Sequence, residues 1–138
     1  MDITDRLIEL RILLCSLCDG FSYEDLSKDM VLSTKTKILF CLNQNDLSPK
    51  ELITKIGIAK SNLANIIKVM IKDGLVDSYK NSSNSKNVYY KITDNGMAKL
   101  KDYKEKLFEN INASSDWCER LSEELLNVIQ IIKGKEDD

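Results

Sequence analysis

The sequence predicts a mainly α fold carrying one short two-stranded β-hairpin, on three observations. Apolar residues recur at intervals of three and four along most of the 138 residues. One proline and five glycines leave helices few interruptions. Two β-rich runs, LVDSYK and NVYYKIT, flank the polar stretch from Asn81 to Lys86, the composition of a hairpin with its turn. A chain that is 43% hydrophobic and 30% charged can build one domain with a sizeable core.

Each element has its own signal. Ile3, Leu7, Leu10, Leu14, Leu17 and Phe21 follow at intervals of four and three, a seam suited to helix-to-helix packing. Asp19-Gly20 should break that helix, and Tyr23 to Met30 form a second short helical piece. Ser33 is the expected N-cap of a helix through Asn43, with Ile38, Leu39 and Leu42 facing inward. In Ser48-Pro49-Lys50-Glu51, Ser48 and Glu51 can form a capping box, and Pro49 sits where its missing N–H is harmless. Gly57 should stop that short helix in a left-handed conformation.

From Lys60 to Asp73 the inward positions are Leu63, Ile66, Ile67, Met70 and Ile71, and Gly74 ends the helix. After the hairpin, Thr93 caps a long helix on which Met97, Leu100, Tyr103, Leu107 and Ile111 share a face. Asn112 to Ser115 interrupt it. Asp116 and Glu119 can cap a last helix with Trp117, Leu121, Leu125, Val128 and Ile132 along its apolar edge, and KGKEDD should fray.

Composition excludes several functions. The chain has no histidine, which removes the commonest general base and metal ligand and the Ser-His-Asp and Cys-His arrangements, so no catalysis is expected. Only one CxxC pair, Cys15 and Cys18, occurs among four cysteines, so neither a zinc site nor any other cofactor is expected. No signal peptide and no run of 18 apolar residues is present, which predicts a cytoplasmic protein with reduced thiols and no membrane association. Net charge is −2, yet residues 46–101 carry ten lysines against five acids, so the middle is basic and the flanks acidic.

That basic stretch holds a short helix, a turn at Gly57-Ile58, a second helix and a hairpin, the order of a winged helix-turn-helix. A second helix of this kind enters the major groove of double-stranded DNA while the hairpin reaches the neighbouring minor groove. Lys60 and Ser61 stand at its N-terminus, where free amides and the helix dipole favour phosphate. Asn62 and Asn65 can each pair with an adenine edge, and Lys68 adds charge further along. Lys50, Lys80, Lys86 and Lys91 are further candidates for phosphate contacts.

At these residues the sequence resembles the MarR-type winged helix-turn-helix transcriptional regulators. The resemblance rests on Ser48-Pro49-Lys50-Glu51-Leu52, Ile56-Gly57-Ile58-Ala59-Lys60-Ser61-Asn62-Leu63, Lys72-Asp73-Gly74-Leu75-Val76 and Ile92-Thr93-Asp94-Asn95-Gly96, and covers residues 33–100 best. It implies one domain over 1–138, with 1–32 and 97–138 as a helical dimerisation region and 33–96 as the DNA-binding region. It also implies a homodimer whose recognition helices each read half of a pseudo-palindromic operator. Lys60, Ser61, Asn62, Ala64 and Asn65 would face DNA, and Asn84-Ser85-Lys86 would replace the family's minor-groove Asp-x-Arg. Residues 46–101 contain no arginine, and Ala59 is a poor cap for the recognition helix.

The function expected is a repressor that answers an unidentified small molecule or stress signal. The alternatives are a winged-helix protein-interaction module with little DNA affinity and a thiol-based redox sensor of the same fold. Cys15 and Cys18 are the redox candidates, although on adjacent helical turns both should pack into the apolar seam, with Cys41 and Cys118 in the core. Tyr23, Tyr103, Phe108 and Trp117 could line an aromatic effector pocket, but at helical spacing they read first as core or dimer contacts.

Overall fold

The computed structural model describes residues 2–19, 32–80, 87–111 and 116–136. Six helices and two strands lie among them: α1 (Ile3–Asp19), α2 (Thr34–Gln44), α3 (Pro49–Ile56), α4 (Lys60–Lys72), β1 (Val76–Lys80), β2 (Val88–Ile92), α5 (Asp94–Asn110) and α6 (Asp116–Glu136). The short helical piece expected from Tyr23 to Met30, Phe21 at the end of the seam, and the turn residues Asn84 and Lys86 lie outside the described residues. Among the described residues no helix is long and apolar enough to cross a membrane.

Local chemistry sets the boundaries. The Thr36 amide donates to Ser33 Oγ at 3.2 Å, so α2 starts where the sequence places its cap. At α3 the Glu51 amide donates to Ser48 Oγ at 3.2 Å and the Ser48 amide to Glu51 Oε1 at 3.3 Å, closing the capping box. Gly57 ends α3 at φ 73°, a left-handed conformation that glycine adopts without steric cost.

The core is contributed by α2 to α5 and the hairpin. Ile38, Leu52, Met70 and Val76 are fully enclosed, and Leu39, Leu42, Leu63, Ile67, Leu75, Ile92 and Leu100 cluster with them. Leu47 joins it too. Its amide donates to the Tyr90 carbonyl at 3.2 Å and the Tyr90 amide donates back at 2.8 Å, adding an antiparallel bridge beside β2. β1 and β2 pair antiparallel from Val76↔Ile92 to Lys80↔Val88.

One junction ties hairpin to helices. The Thr93 hydroxyl donates to the Gly74 carbonyl at 2.6 Å and accepts from the Gly96 amide at 3.0 Å, while the Thr93 amide donates to the Leu75 carbonyl at 3.1 Å. Gly96 is enclosed there. A Cβ on it would stand 2.3 Å from the Leu75 carbonyl oxygen and 2.7 Å from Ile92 Cγ1.

Several expectations need correction. Ile71 is exposed rather than inward, because it follows Met70 by one residue and a helix turns 100° in that step. Met97 is likewise exposed. Cys15 lies open to solvent instead of in the seam, one step round the helix from half-buried Leu14, and Cys41 and Cys118 are half-buried rather than core. Asp116 is the first residue of α6, not its cap, and α6 continues through Gly134 and Lys135 to Glu136 where fraying was expected.

The outer helices differ from the core. Among the described residues α1 and α6 bury no side chain completely, and Ile3, Leu7, Ile8, Ile12 and Leu13 on α1 and Trp117, Leu126, Ile129, Ile131 and Ile132 on α6 are exposed. The Asn110 side-chain amide donates to the Leu17 carbonyl at 3.1 Å, joining α1 to α5.

Gly96→Ala should lower stability by about 2–3 kcal/mol, because the new methyl meets a backbone carbonyl that cannot move aside. Gly134→Ala, with nothing within 4 Å of its Cβ, should cause no loss. Urea unfolding of both variants beside the wild type measures the contrast.

Candidate nucleic-acid interface

The face of α4 is built by what it buries on the other side. Leu63, Ile67 and Met70 lock one stripe into the core, which leaves Ser61, Asn65, Lys68 and Lys72 at spacings of four, three and four on the opposite stripe. Lys60, Ser61, Asn62, Ala64, Asn65 and Lys68 are all exposed. With three lysines and no acid on α4, the face has hydrogen-bonding amides near its start and positive charge along its length. Ala59 makes no side-chain cap, so the first amides of α4 keep their donors for an external acceptor.

Two other groups flank α4. Lys50 is exposed in the first turn of α3. On the hairpin, Lys80 and Lys91 are exposed at the stem, whereas Asn84, Ser85 and Lys86 lie outside the described residues. The Tyr79 and Tyr89 rings are cross-strand partners and stack at 5.9 Å with 24° between their planes. The Tyr79 hydroxyl donates to Asp46 Oδ2 at 2.7 Å, and this bond pushes the phenol above its ordinary pKa, so it keeps its proton. Nothing in the local sequence around Asp46 marks that contact, because its partner is 33 residues away.

A separate cleft of about 490 Å³ opens between α1, α2, α3 and α5. Phe40, Leu100, Tyr103 and Leu107 give it an apolar wall, and Lys37, Lys55 and Lys104 are the charged groups that line it among the described residues. Lys104 Nζ sits 5.9 Å from the centre of the Phe40 ring. Of the described aromatic candidates only Tyr103 lines this cleft, while Phe108 and Trp117 are exposed; Tyr23 lies outside the described residues.

The cysteines separate. Cys18 and Cys41 line the cleft, but Cys15 lines a different depression with Ile8, Arg11 and Ile12. Burial pushes the Cys41 thiol up, with Lys55 opposing the shift. Among the described residues no group of three or more side chains could hold a metal ion.

Residues 32–88 match the MarR family. The transcriptional regulator AdcR of Streptococcus pneumoniae is 25% identical over 68 residues, 49% of this chain and 47% of that protein, so the match spans about half the length of that curated relative. NadR, solved in complex with 4-hydroxyphenylacetate, has a TM-score of 0.74 at 23% identity, covering 98% of this chain and 94% of its own. E. coli MarR in its apo form has a TM-score of 0.63 at 17% identity, covering 94% of this chain and 97% of its own. These likenesses show the winged-helix fold of MarR.

The thiols should differ in reactivity. Cys15 is exposed, whereas the raised pKa of Cys41 leaves little thiolate near neutral pH. Iodoacetamide should therefore modify Cys15 roughly tenfold faster than Cys41 in the native protein, a ratio that peptide mass spectrometry reads directly.

Proposed function

From the MarR-family match over residues 32–88 and the MarR fold of the chain, we propose a homodimeric, sequence-specific DNA-binding transcriptional regulator, a repressor released by a small molecule. One observation carries it: α4 turns outward a mainly polar face, interrupted by Ala64, Val69 and Ile71, with Asn62, Asn65 and three lysines and no carboxylate. Phosphate contacts from Lys60, Ser61, Lys68 and Lys50 set affinity and register, and Asn62 and Asn65 read base edges. Asn84 and Lys86 are assigned to the minor groove, where lysine replaces the family's arginine; a lysine ammonium is more strongly hydrated than guanidinium and enters a narrow groove less readily.

Residues 1–32 and 97–138 are assigned to dimerisation. Supporting this, α1 and α6 expose apolar side chains along their length, a face that pairing with a second copy would cover. A two-fold dimer places two copies of α4 on successive half-sites of a pseudo-palindromic operator. The cleft suits an amphipathic anion, since among the described residues its apolar wall carries three lysines and no acid. NadR, which shares the fold, binds 4-hydroxyphenylacetate, so an aromatic carboxylate is the effector class to test first.

The rival is an interaction module of the same fold, favoured by the missing arginines of residues 46–101 and a pI of 5.3. Salt separates the two. Phosphate contacts release counterions, so DNA affinity falls steeply as salt rises, and an interaction module shows no such binding.

In a salt series on a duplex selected from a random pool, Asn62→Ala or Asn65→Ala should lose about 1–3 kcal/mol of discrimination with little change in slope. Lys68→Ala should reduce the slope by about one phosphate without changing sequence preference. Equal loss on cognate and scrambled DNA for both asparagine variants would show that they do not read bases. Separately, light scattering at micromolar concentration should give about twice the chain mass of 15.8 kDa, and a monomer would remove the two-half-site arrangement.

A further inference from the structure

Three consecutive residues between α2 and α3 make three different attachments. Asp46 accepts the Tyr79 hydroxyl proton at 2.7 Å, Leu47 exchanges backbone hydrogen bonds of 3.2 and 2.8 Å with Tyr90, and Ser48 caps α3. The residue that starts the helix-turn-helix is thus covalently continuous with two residues that grip the hairpin. The hairpin has reason to need a grip. Two five-residue strands are marginal alone, and all of β1 beyond Val76 is exposed.

The grip sits far out on the stem. Tyr79↔Tyr89 is the last but one pair of the ladder, and the stacking of those rings holds the Tyr79 phenol where it meets Asp46. Residues 81–86, in which the minor-groove contacts are assigned, follow directly in the chain. A change in the tilt of that stem shifts whatever the hairpin presents to DNA, and a shift of about 1 Å is enough to weaken a hydrogen bond.

We propose that the Asp46–Tyr79 hydrogen bond is a latch that fixes the pitch of the wing relative to α4, making Asp46 and Tyr79 positioning residues for the minor-groove contact. The proposal rests on the DNA-binding function above. It carries a sign that electrostatics alone would not give. Asp46 is a negative charge in a segment assigned to phosphate binding, so removing it should strengthen DNA binding unless its hydrogen bond matters. Asp46→Asn keeps an acceptor oxygen and loses the charge, whereas Asp46→Ala loses both.

The test uses the full chain in two measurements. Without DNA, the Leu47 and Tyr90 amides should exchange with deuterium about tenfold faster in Tyr79→Phe and Asp46→Ala, with the Ile67 amide of α4 unchanged as evidence of intact folding. Asp46→Asn should stay near the wild type. On a duplex selected by the wild type from a random pool, Tyr79→Phe and Asp46→Ala should bind about tenfold more weakly and lose hydroxyl-radical protection in the flanking minor groove while keeping it at the half-site. Asp46→Asn should bind at least as tightly as the wild type. Unchanged amide exchange, or unchanged affinity and footprint in Tyr79→Phe beside a wild type that binds, overturns the latch alone. A wild type without salt-dependent DNA binding overturns the DNA function and the latch's role with it.

Discussion

The Thr93 hydroxyl is the contact on which the arrangement of helices and hairpin turns. It donates to the Gly74 carbonyl where α4 has just ended and accepts from the Gly96 amide where α5 begins. Both groups would otherwise be backbone polar atoms without a partner at helix ends, which is costly in a part-buried setting. One side chain satisfies both, so the end of α4, the start of β1, the end of β2 and the start of α5 share one point. Gly96 follows from the same geometry, since no other residue leaves the Leu75 carbonyl its space. The direction in which α4 presents its outer stripe is therefore set by packing behind it.

Around that point the chain divides its apolar residues into two populations. Those of α2 to α5 and the hairpin close on one another, with Ile38, Leu52, Met70 and Val76 wholly enclosed. Those of α1 and α6 remain open, half-buried at best, among the described residues. Area removed from water is the main favourable term in association, so exposed leucine and isoleucine on long helices are the physical basis for reading these helices as dimer surfaces. The cleft lies where the two populations meet, lined by Cys18 of α1 as well as by α2, α3 and α5. A ligand held there would touch α1 at Cys18 as well as the body that carries α4, and differential contact with two arrangements of those parts is what the proposed release of DNA by an effector would require.

Periodicity and capping chemistry were enough to read the helices from the amino-acid order. Ser33, Ser48 and Thr93 cap the helices they precede, Gly57 stops α3, and Leu63, Ile67 and Met70 face inward, because each depends on residues within a turn or two of one another. The hairpin was legible for the same reason, as two β-rich runs about a polar turn. Ile71, Met97 and Cys15 fit the apolar pattern yet are exposed for a reason of phase: a residue 100° beyond the buried stripe is counted in the pattern but not covered by a neighbour.

By itself, then, the sequence determined the element order, the caps, the basic polar face of α4 and the family resemblance, all of which are local in the chain. Only the tertiary structure decided that Leu47 bridges Tyr90, that Tyr79 reaches Asp46, that Gly96 lies against the Leu75 carbonyl, and that Cys18 and Cys41 share a cleft which Cys15 does not line. These contacts join residues from separate elements, and no periodic pattern records which element will lie beside which. Their positions follow from packing several amphipathic surfaces at once, so they exist only when the whole fold does.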